Sequence, residues 1–226
     1  MPLCPFAQQV PISGSAGDYK GGPFRIVHHT TEGSTAQAAM DAYRAKRADP
    51  HFTVDDHGVR QHIDTAVAAR ALRHPGTIET NLESAVQIET VGFAGRPKSN
   101  AALLVLARLC RWIEATHDVP RAWPNGPPKP AIDGADPGGH DRNAAIWTAT
   151  AGHYGHSNVP DNVHWDPGYS PVEAAFLLAA EFDPGGNLTN AGLPAVKALI
   201  DRQPVADITE APFATMIDHF DVGDRP

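Results

Sequence analysis

Histidine is the residue type in this chain that most suggests catalysis or metal binding. The chain has 12 histidines among 226 residues, of which only 19% are charged. His28 ends a short apolar segment, His156 follows Gly155, and Asp166 opens the sequence Asp-Pro-Gly. Two imidazoles and one carboxylate bind Zn²⁺ well, and three protein ligands leave the fourth tetrahedral position open. Each histidine taken alone is more often structural, but together these residues predict a hydrolytic zinc site.

The segments that must position these residues alternate between strand and helix patterns. Residues 24–29 are apolar and β-branched, which predicts a buried strand with His28 and His29 at its C-terminal end. Residues 85–90 alternate, which places Glu89 on the polar face of a second strand. The pattern also predicts a hairpin over 51–63, helices over 36–48, 99–117, 174–182 and 193–202, and a Pro-rich surface loop over 120–143. This interleaving predicts an α/β fold with a central mixed sheet flanked by helices.

Composition and charge exclude several classes of protein. The formal net charge is −8 and the chain has no run of Lys or Arg, so we expect no nucleic-acid partner. Cys4 and Cys110 are the two cysteines, and neither belongs to a C-x-x-C pair of the kind found in zinc and redox sites.

The N-terminal segment and the hydropathy of the chain bear on its location. The first ten residues have no basic start and no apolar stretch typical of a signal peptide. No apolar run approaches the roughly 20 residues needed to cross a bilayer, so we expect no membrane insertion. We expect a protein that is cytoplasmic as synthesised and that acts in the periplasm or cell wall after release or non-classical secretion.

Several segments together resemble the zinc-dependent N-acetylmuramoyl-L-alanine amidases of the type-2 amidase and peptidoglycan recognition protein superfamily. They are Arg25–Thr30, the hairpin over 51–63, Gln87-Ile88-Glu89, and Gly155-His156 followed after nine residues by Asp166-Pro167-Gly168. The stretch 156–168 is most similar to amidase domains of phage endolysins. The resemblance implies the peptidoglycan recognition protein-like amidase fold, with an irregular lead-in over 1–23, the amidase domain over 24–182, and a C-terminal helix and peripheral tail over 183–226.

The resemblance also implies roles for individual residues. In this family the first histidine of the strand-end pair, the histidine after glycine, and an Asp or Cys hold the zinc. These positions correspond to His28, His156 and Asp166, and imply one Zn²⁺ per chain. The general base of bacterial members is a glutamate in an Ile-Glu context, which corresponds to Glu89. Members with a Lys or Thr two residues before the third ligand use it at the oxyanion; this chain has His164, which we expect to donate a hydrogen bond there.

Other residues near these motifs receive weaker assignments. Trp165 and Tyr169 could line a groove for sugar or peptide, with packing against the following helix as an equal alternative. Pro50 stands where some members carry a tyrosine before a His-Phe pair. We expect structural roles for the remaining nearby histidines, which are His29, His51, His62 and His153.

The activity implied by the resemblance is hydrolysis of the amide bond between N-acetylmuramic acid and L-alanine, with peptidoglycan or a muropeptide as the substrate. One alternative is a non-catalytic peptidoglycan-binding module on the same fold, and another is a zinc hydrolase that acts on a different amide. A phage lysin, an antibacterial toxin and a recycling enzyme are all compatible with the sequence, which identifies no inhibitor or immunity protein.

Overall fold

Eight strands make up the β-structure of the computed structural model, which describes residues 2–12, 14–72 and 76–201. They are β1 (Gln8–Gln9), β2 (Gly17–Asp18), β3 (Arg25–Thr30), β4 (Phe52–Asp55), β5 (Gly58–Gln61), β6 (Val67–Ala68), β7 (Ala85–Thr90) and β8 (Gly152–Gly155). Six of them form one sheet in the order β1-β5-β4-β7-β3-β8, and β2 pairs with β6 in a small second sheet.

The large sheet is mixed, with parallel strands at its centre. β7 lies between β3 and β4 and is parallel to both, and β8 is parallel to β3. The predicted hairpin is present, because β4 and β5 pair in antiparallel fashion around Gly58. β1 extends the sheet beside β5, so part of the lead-in belongs to the sheet. Parallel neighbours need long crossover connections, and helices supply most of them here.

Helices cover the sheet, four of them where the sequence predicts a helix, and α3 in addition. They are α1 (Ala36–Lys46), α2 (Asn100–His117), α3 (Ala144–Ala149), α4 (Pro171–Ala179) and α5 (Leu193–Asp201). Ser99 caps the N-terminus of α2, and Ser170 with Glu173 forms a complete capping box at α4. The architecture confirms the predicted central mixed sheet with helices on its faces.

The two faces of the sheet carry different cores. On one face Ile26, Val86 and Ile88 pack against the apolar side of α2 in the main core. On the other face Val27 and Ala85 belong to a smaller cluster built around Trp147 and Tyr154. Because side chains alternate along a strand, His28 must lie on the α2 face and His29 on the opposite face. This alternation decides the composition of the site described below.

The loop over 120–143 covers the outer edge of β8. The backbone N–H of His153 donates to the carbonyl oxygen of Ala122 at 2.8 Å. A Cβ atom on Gly152 would lie 2.7 Å from Pro124 and one on Gly155 would lie 2.5 Å from Pro128, so the loop packs closely on the strand. An edge strand protected in this way keeps its position without a further strand beside it.

The C-terminal part of the described chain ends with α5, in agreement with the predicted helix over 193–202. The peripheral tail expected after Gln203 lies outside the described residues. Within the ranges that the structure describes, no helix is both long enough and apolar enough to cross a membrane.

Candidate metal centre and active site

His29, His156 and Asp166 meet at the C-terminal end of the central strands. The Nδ1 atoms of His29 and His156 are 3.0 Å apart, and Asp166 Oδ1 lies 3.1 Å from His156 Nδ1. One nitrogen or oxygen of each residue falls within 4.8 Å of those of the other two. The exposed fractions are only 1% for His29, 5% for His156 and 6% for Asp166. Two imidazoles and a carboxylate at these distances form a donor set suited to zinc.

The structure does not bring His28 to this cluster, where it places His29 instead. His29 is the register partner of Glu89 in β7, whereas His28 is the partner of Ile88. Ile88 packs in the core beneath α2, so the His28 ring points towards that core as well. The structure therefore brings together His29, His156 and Asp166 rather than the expected set of His28, His156 and Asp166, and His29, expected to be structural, takes the place of His28 in the cluster.

The opposite face of the sheet holds a second group of possible donors. His28, Cys110 and His153 are fully buried and also lie within 4.8 Å of one another. His28 Nε2 is 3.0 Å from His153 Nδ1, and His153 Nε2 is 3.0 Å from Glu114 Oε1. The hydroxyl group of Tyr169 lies 3.3 Å from His28 Nδ1. A chain of hydrogen bonds from Tyr169 to Glu114 satisfies both neutral imidazoles, and no ligand position faces solvent.

Tyr169 itself cannot line a substrate groove. Its exposed fraction is 0%, and it packs in the core against α2. Burial raises the pKa of Tyr169 well above its ordinary value, as expected for a phenol sealed from water. The expected substrate-binding role of Tyr169 is therefore replaced by its alternative, packing in the core. Trp165 is half-buried beside Gly168 and stays available as a groove residue.

Charge balance in the His29 cluster favours a bound cation. Burial opposes ionisation of Asp166, but the charge of His156 and its hydrogen bond outweigh that effect and hold the pKa of Asp166 below its ordinary value. Burial likewise opposes protonation of His156, and Asp166 more than compensates, so the pKa of His156 is raised. Thr30 donates its backbone N–H to Asp166 Oδ2 at 3.1 Å, which fixes the carboxylate. A buried carboxylate of this kind needs a positive partner.

The remaining nitrogens of the two imidazoles are placed differently. His156 Nε2 lies 2.9 Å from Asn162 Oδ1, an arrangement that commonly orients histidine ligands of metals. His29 Nε2 is buried and has no hydrogen-bond partner among the described residues. The Nδ1 atoms of both rings are therefore the ones aimed at the common centre.

Glu89 lies on the same face of the sheet as the cluster. It is 9% exposed, and its Oε2 atom has no hydrogen-bond partner in the described part of the chain. Burial raises the pKa of Glu89 well above its ordinary value, and the charges of Asp166 and Glu32 add to the increase. A carboxyl group with a raised pKa and an unused oxygen is suited to accept and release a proton near neutral pH.

The phenol of Tyr43 in α1 is a feature that sequence reasoning missed. Burial raises the pKa of Tyr43, and the charge of Glu89 contributes to the increase. Tyr43 also lies 3.5 Å from Thr53, the register partner of Glu89 in β4. A buried aromatic residue on an amphipathic helix is usually assigned to the core, so the sequence offered no signal for its proximity to Glu89.

His164 lies at the exposed rim of the cluster. Its ring stacks on that of His156, with 4.8 Å between centroids and 22° between planes. Partial burial and the neighbouring His156 lower the pKa of His164, so its ring is neutral at pH 7 and carries one N–H donor. His156 and His164 also line a cavity of about 230 Å³ with Arg70 and Leu72, so open space lies beside the cluster.

Comparison with known proteins finds one matching family and several solved structures of low sequence identity. The family model of N-acetylmuramoyl-L-alanine amidase matches residues 22–169. The Staphylococcus aureus hydrolase AmiA in complex with its ligand is 15% identical, with a TM-score of 0.53 over 78% of this chain and 83% of that chain. The amidase LysC from Clostridium intestinale URNW is 14% identical, with a TM-score of 0.46 over 70% of this chain and 87% of that chain. No curated protein sequence matches the chain.

Proposed function

The chain belongs to the N-acetylmuramoyl-L-alanine amidase family, and we propose that it hydrolyses an amide bond of its substrate at the cluster of His29, His156 and Asp166. The bond lies between N-acetylmuramic acid and the L-alanine of the stem peptide, and the substrate is peptidoglycan or a soluble muropeptide. The observation that carries the proposal is the position of Glu89, whose buried carboxyl group leaves the sheet on the same face as His29, one of three residues that together could hold a metal ion.

The donor set supports Zn²⁺ as the cofactor, with one ion per chain. Two imidazoles and a carboxylate leave one tetrahedral position for water or substrate, as in catalytic rather than structural zinc sites. The raised pKa of His156 and the lowered pKa of Asp166 describe a site that attracts positive charge. Zinc in such a site supplies Lewis acidity that polarises a substrate carbonyl group and acidifies water.

Glu89 acts as the general base and then as the general acid. Its Oε2 atom takes a proton from the water that attacks the scissile carbonyl carbon. The same oxygen then delivers the proton to the amine nitrogen of L-alanine as the amide bond breaks. The elevated pKa of Glu89 makes both transfers possible, because a carboxylate with its ordinary pKa would hold the proton too weakly to deliver it.

His164 assists at the oxygen of the tetrahedral intermediate. Its ring is exposed beside His156, and a neutral imidazole can donate one hydrogen bond to a developing oxyanion. A cationic lysine or arginine would supply a full charge, so this chain relies on a weaker donor. The half-buried Trp165 next to it offers an apolar surface for the sugar ring or the peptide.

The proposal is tested by incubating the zinc-loaded protein with purified sacculi and identifying the products by mass spectrometry. Free stem peptides that begin with L-alanine are expected, together with glycan strands that keep the lactyl group. The Glu89→Gln variant should retain its zinc and lose activity by about 10²- to 10⁴-fold. Undiminished peptide release by Glu89→Gln would contradict the assigned base. Binding to sacculi without release of peptide would indicate a non-catalytic module.

A further inference from the structure

Arg142 reaches the candidate active site from the loop over 120–143, which supplies none of the proposed metal ligands or proton-transfer groups. Its Nη2 atom donates to the backbone carbonyl oxygen of His164 at 2.9 Å. We infer that Arg142 is a positioning residue, which fixes His164 so that its ring stays stacked on His156 and faces the reacting carbonyl group. The inference rests on the proposed function and adds to it the residue on which the oxyanion donor depends.

The loop that carries Arg142 is itself held against the segment that carries His156. Asn125 Nδ2 donates to the carbonyl oxygen of Asn158 at 3.2 Å, and Asn158 Nδ2 donates to that of Asp141 at 3.2 Å. Asn125 and Asn158 are buried, with exposed fractions of 5% and 2%. Arg142 follows Asp141 directly, so its Cα atom is tied to the turn after His156 rather than to a freely moving loop.

The side chain of His164 has no comparable hydrogen bond to another described residue. The residue is exposed, its neighbour Val163 is 74% exposed, and the ring is held by stacking on His156. The hydrogen bond from the Arg142 guanidinium group to the carbonyl oxygen of His164 fixes the backbone from which the stacked ring extends. Small displacements of a positioned catalytic group can lower the rate by large factors.

The guanidinium group of Arg142 keeps one further donor. Its Nε atom is buried and has no hydrogen-bond partner among the described residues, so contacts of the protein do not saturate the group.

A double-mutant cycle between Arg142 and His164 tests the inference. kcat and KM are measured on a soluble disaccharide-peptide muropeptide for Arg142→Ala, His164→Ala and the double variant, with zinc content and melting temperature recorded for each. We expect His164→Ala to lower kcat about a hundredfold. Arg142→Ala should lower kcat about tenfold with KM changed less than twofold. The double variant should be no slower than His164→Ala, because Arg142 acts through His164.

Two further variants keep the test independent of folding. Arg142→Lys keeps one N–H donor and the charge, and should recover most of the lost kcat. Lys129→Ala removes a cation of the same loop, whose Nζ atom donates to the carbonyl oxygens of Gly138 and Gly139, and should leave kcat unchanged. An additional tenfold loss on adding Arg142→Ala to His164→Ala, or unchanged kcat in Arg142→Ala, overturns the inference. Loss of zinc in Arg142→Ala also overturns it, since the effect would then run through His156.

A spectroscopic readout separates this inference from the proposed function. Absence of peptide release by the unmodified protein would refute the function and leave the contact between Arg142 and His164 to be judged by NMR. Stacking places the ring protons of His156 in the ring current of His164, so Arg142→Ala should shift them towards the values found in His164→Ala. Ring shifts that do not change in Arg142→Ala refute the positioning role even in an active enzyme.

Discussion

His29 and Glu89 are register partners in neighbouring parallel strands, so their side chains leave the sheet on the same face and at the same level. The pairing ties the imidazole proposed as the first metal ligand to the carboxyl group proposed for proton transfer, through the backbone ladder between β3 and β7. Both strands are fully buried along their whole length. A catalytic pair built on central strands is held more rigidly than one built on loops.

The metal content of histidine variants distinguishes the two neighbouring imidazoles. We expect about one zinc per chain in the purified protein, and loss of that zinc in His29→Ala and Asp166→Ala, each of which removes a donor of the cluster. His28→Gln should retain zinc, because His28 lies on the α2 face and bonds to His153. Elemental analysis after exhaustive dialysis measures the ratio. A variant pattern with the roles of His28 and His29 exchanged would contradict the assignment.

The backbone next to His156 is predicted to depend on Gly155. A Cβ atom at residue 155 would lie 2.5 Å from Cγ of Pro128, so Gly155→Ala forces the backbone to shift. We expect zinc affinity to fall about tenfold, measured by competition with a chromophoric chelator, because ligand orientation is lost. The double variant Gly155→Ala with Pro128→Ala removes the closest atom and should recover part of the affinity. Unchanged zinc affinity in Gly155→Ala would contradict the prediction, because it would show that the loop at Pro128 moves and the backbone next to His156 does not.

The acid limb of the activity profile should respond to Glu32. Besides burial and Asp166, the charge of Glu32 raises the pKa of Glu89. Glu32→Gln keeps an oxygen that can accept from Thr30 and from the backbone N–H of Ala94 but removes the charge. The pH below which kcat/KM declines should therefore move to lower values, while Asp18→Asn, an exposed change on β2, leaves it in place. A shift to higher pH would contradict the electrostatic argument.

The stability of the fold should decrease in mild acid because of buried neutral histidines. Burial lowers the pKa of His51 to about 4, and its Nδ1 accepts the backbone N–H of Gln87 at 2.9 Å, which requires the unprotonated form. Below pH 6.5 His51 binds a proton in the unfolded chain but stays unprotonated in the folded chain. The free energy of unfolding then falls by up to about 1.4 kcal/mol per pH unit for this residue until about pH 4.

Chemical denaturation between pH 7 and pH 4 measures that dependence. His51→Gln should be less stable at pH 7 and show a shallower decline of the unfolding free energy with falling pH. His57→Gln, an exposed change in the hairpin turn, serves as the matched control and should follow the unmodified protein. An equal slope in His51→Gln and the unmodified protein would exclude His51 as a source of the acid sensitivity.

Much of the architecture follows from local sequence. Alternation predicts the strand over residues 85–90 with its observed bounds, and the helix expected over 174–182 corresponds to α4, which begins three residues earlier at Pro171. These signals are local, because alternation and capping are properties of a few consecutive residues. The sequence gives no signal for β8 because Gly152 and Gly155 are poor strand formers, and the strand is held by its pairing with β3 and by the loop packed on its other edge.

The choice between His28 and His29 depended on information that no single segment holds. Both stand at the end of a strand, and only the pairing of β3 with β7 shows which of them shares a face with Glu89. The apolar side of α2 shows that the helix covers a sheet but not which face it covers. Tyr169 presents the same difficulty, since an amphipathic side chain suits both a groove and a buried hydrogen-bond chain.

The two edges of the large sheet differ, because the loop over 120–143 covers one of them. On the β8 side a carbonyl group of the loop already occupies the hydrogen-bonding position next to His153, so an incoming peptide in extended form would have to displace Ala122. On the other side the border is formed by two exposed glutamines of β1. A fused module or a second strand could therefore join this fold through its amino-terminal border without disturbing the geometry on which hydrolysis depends.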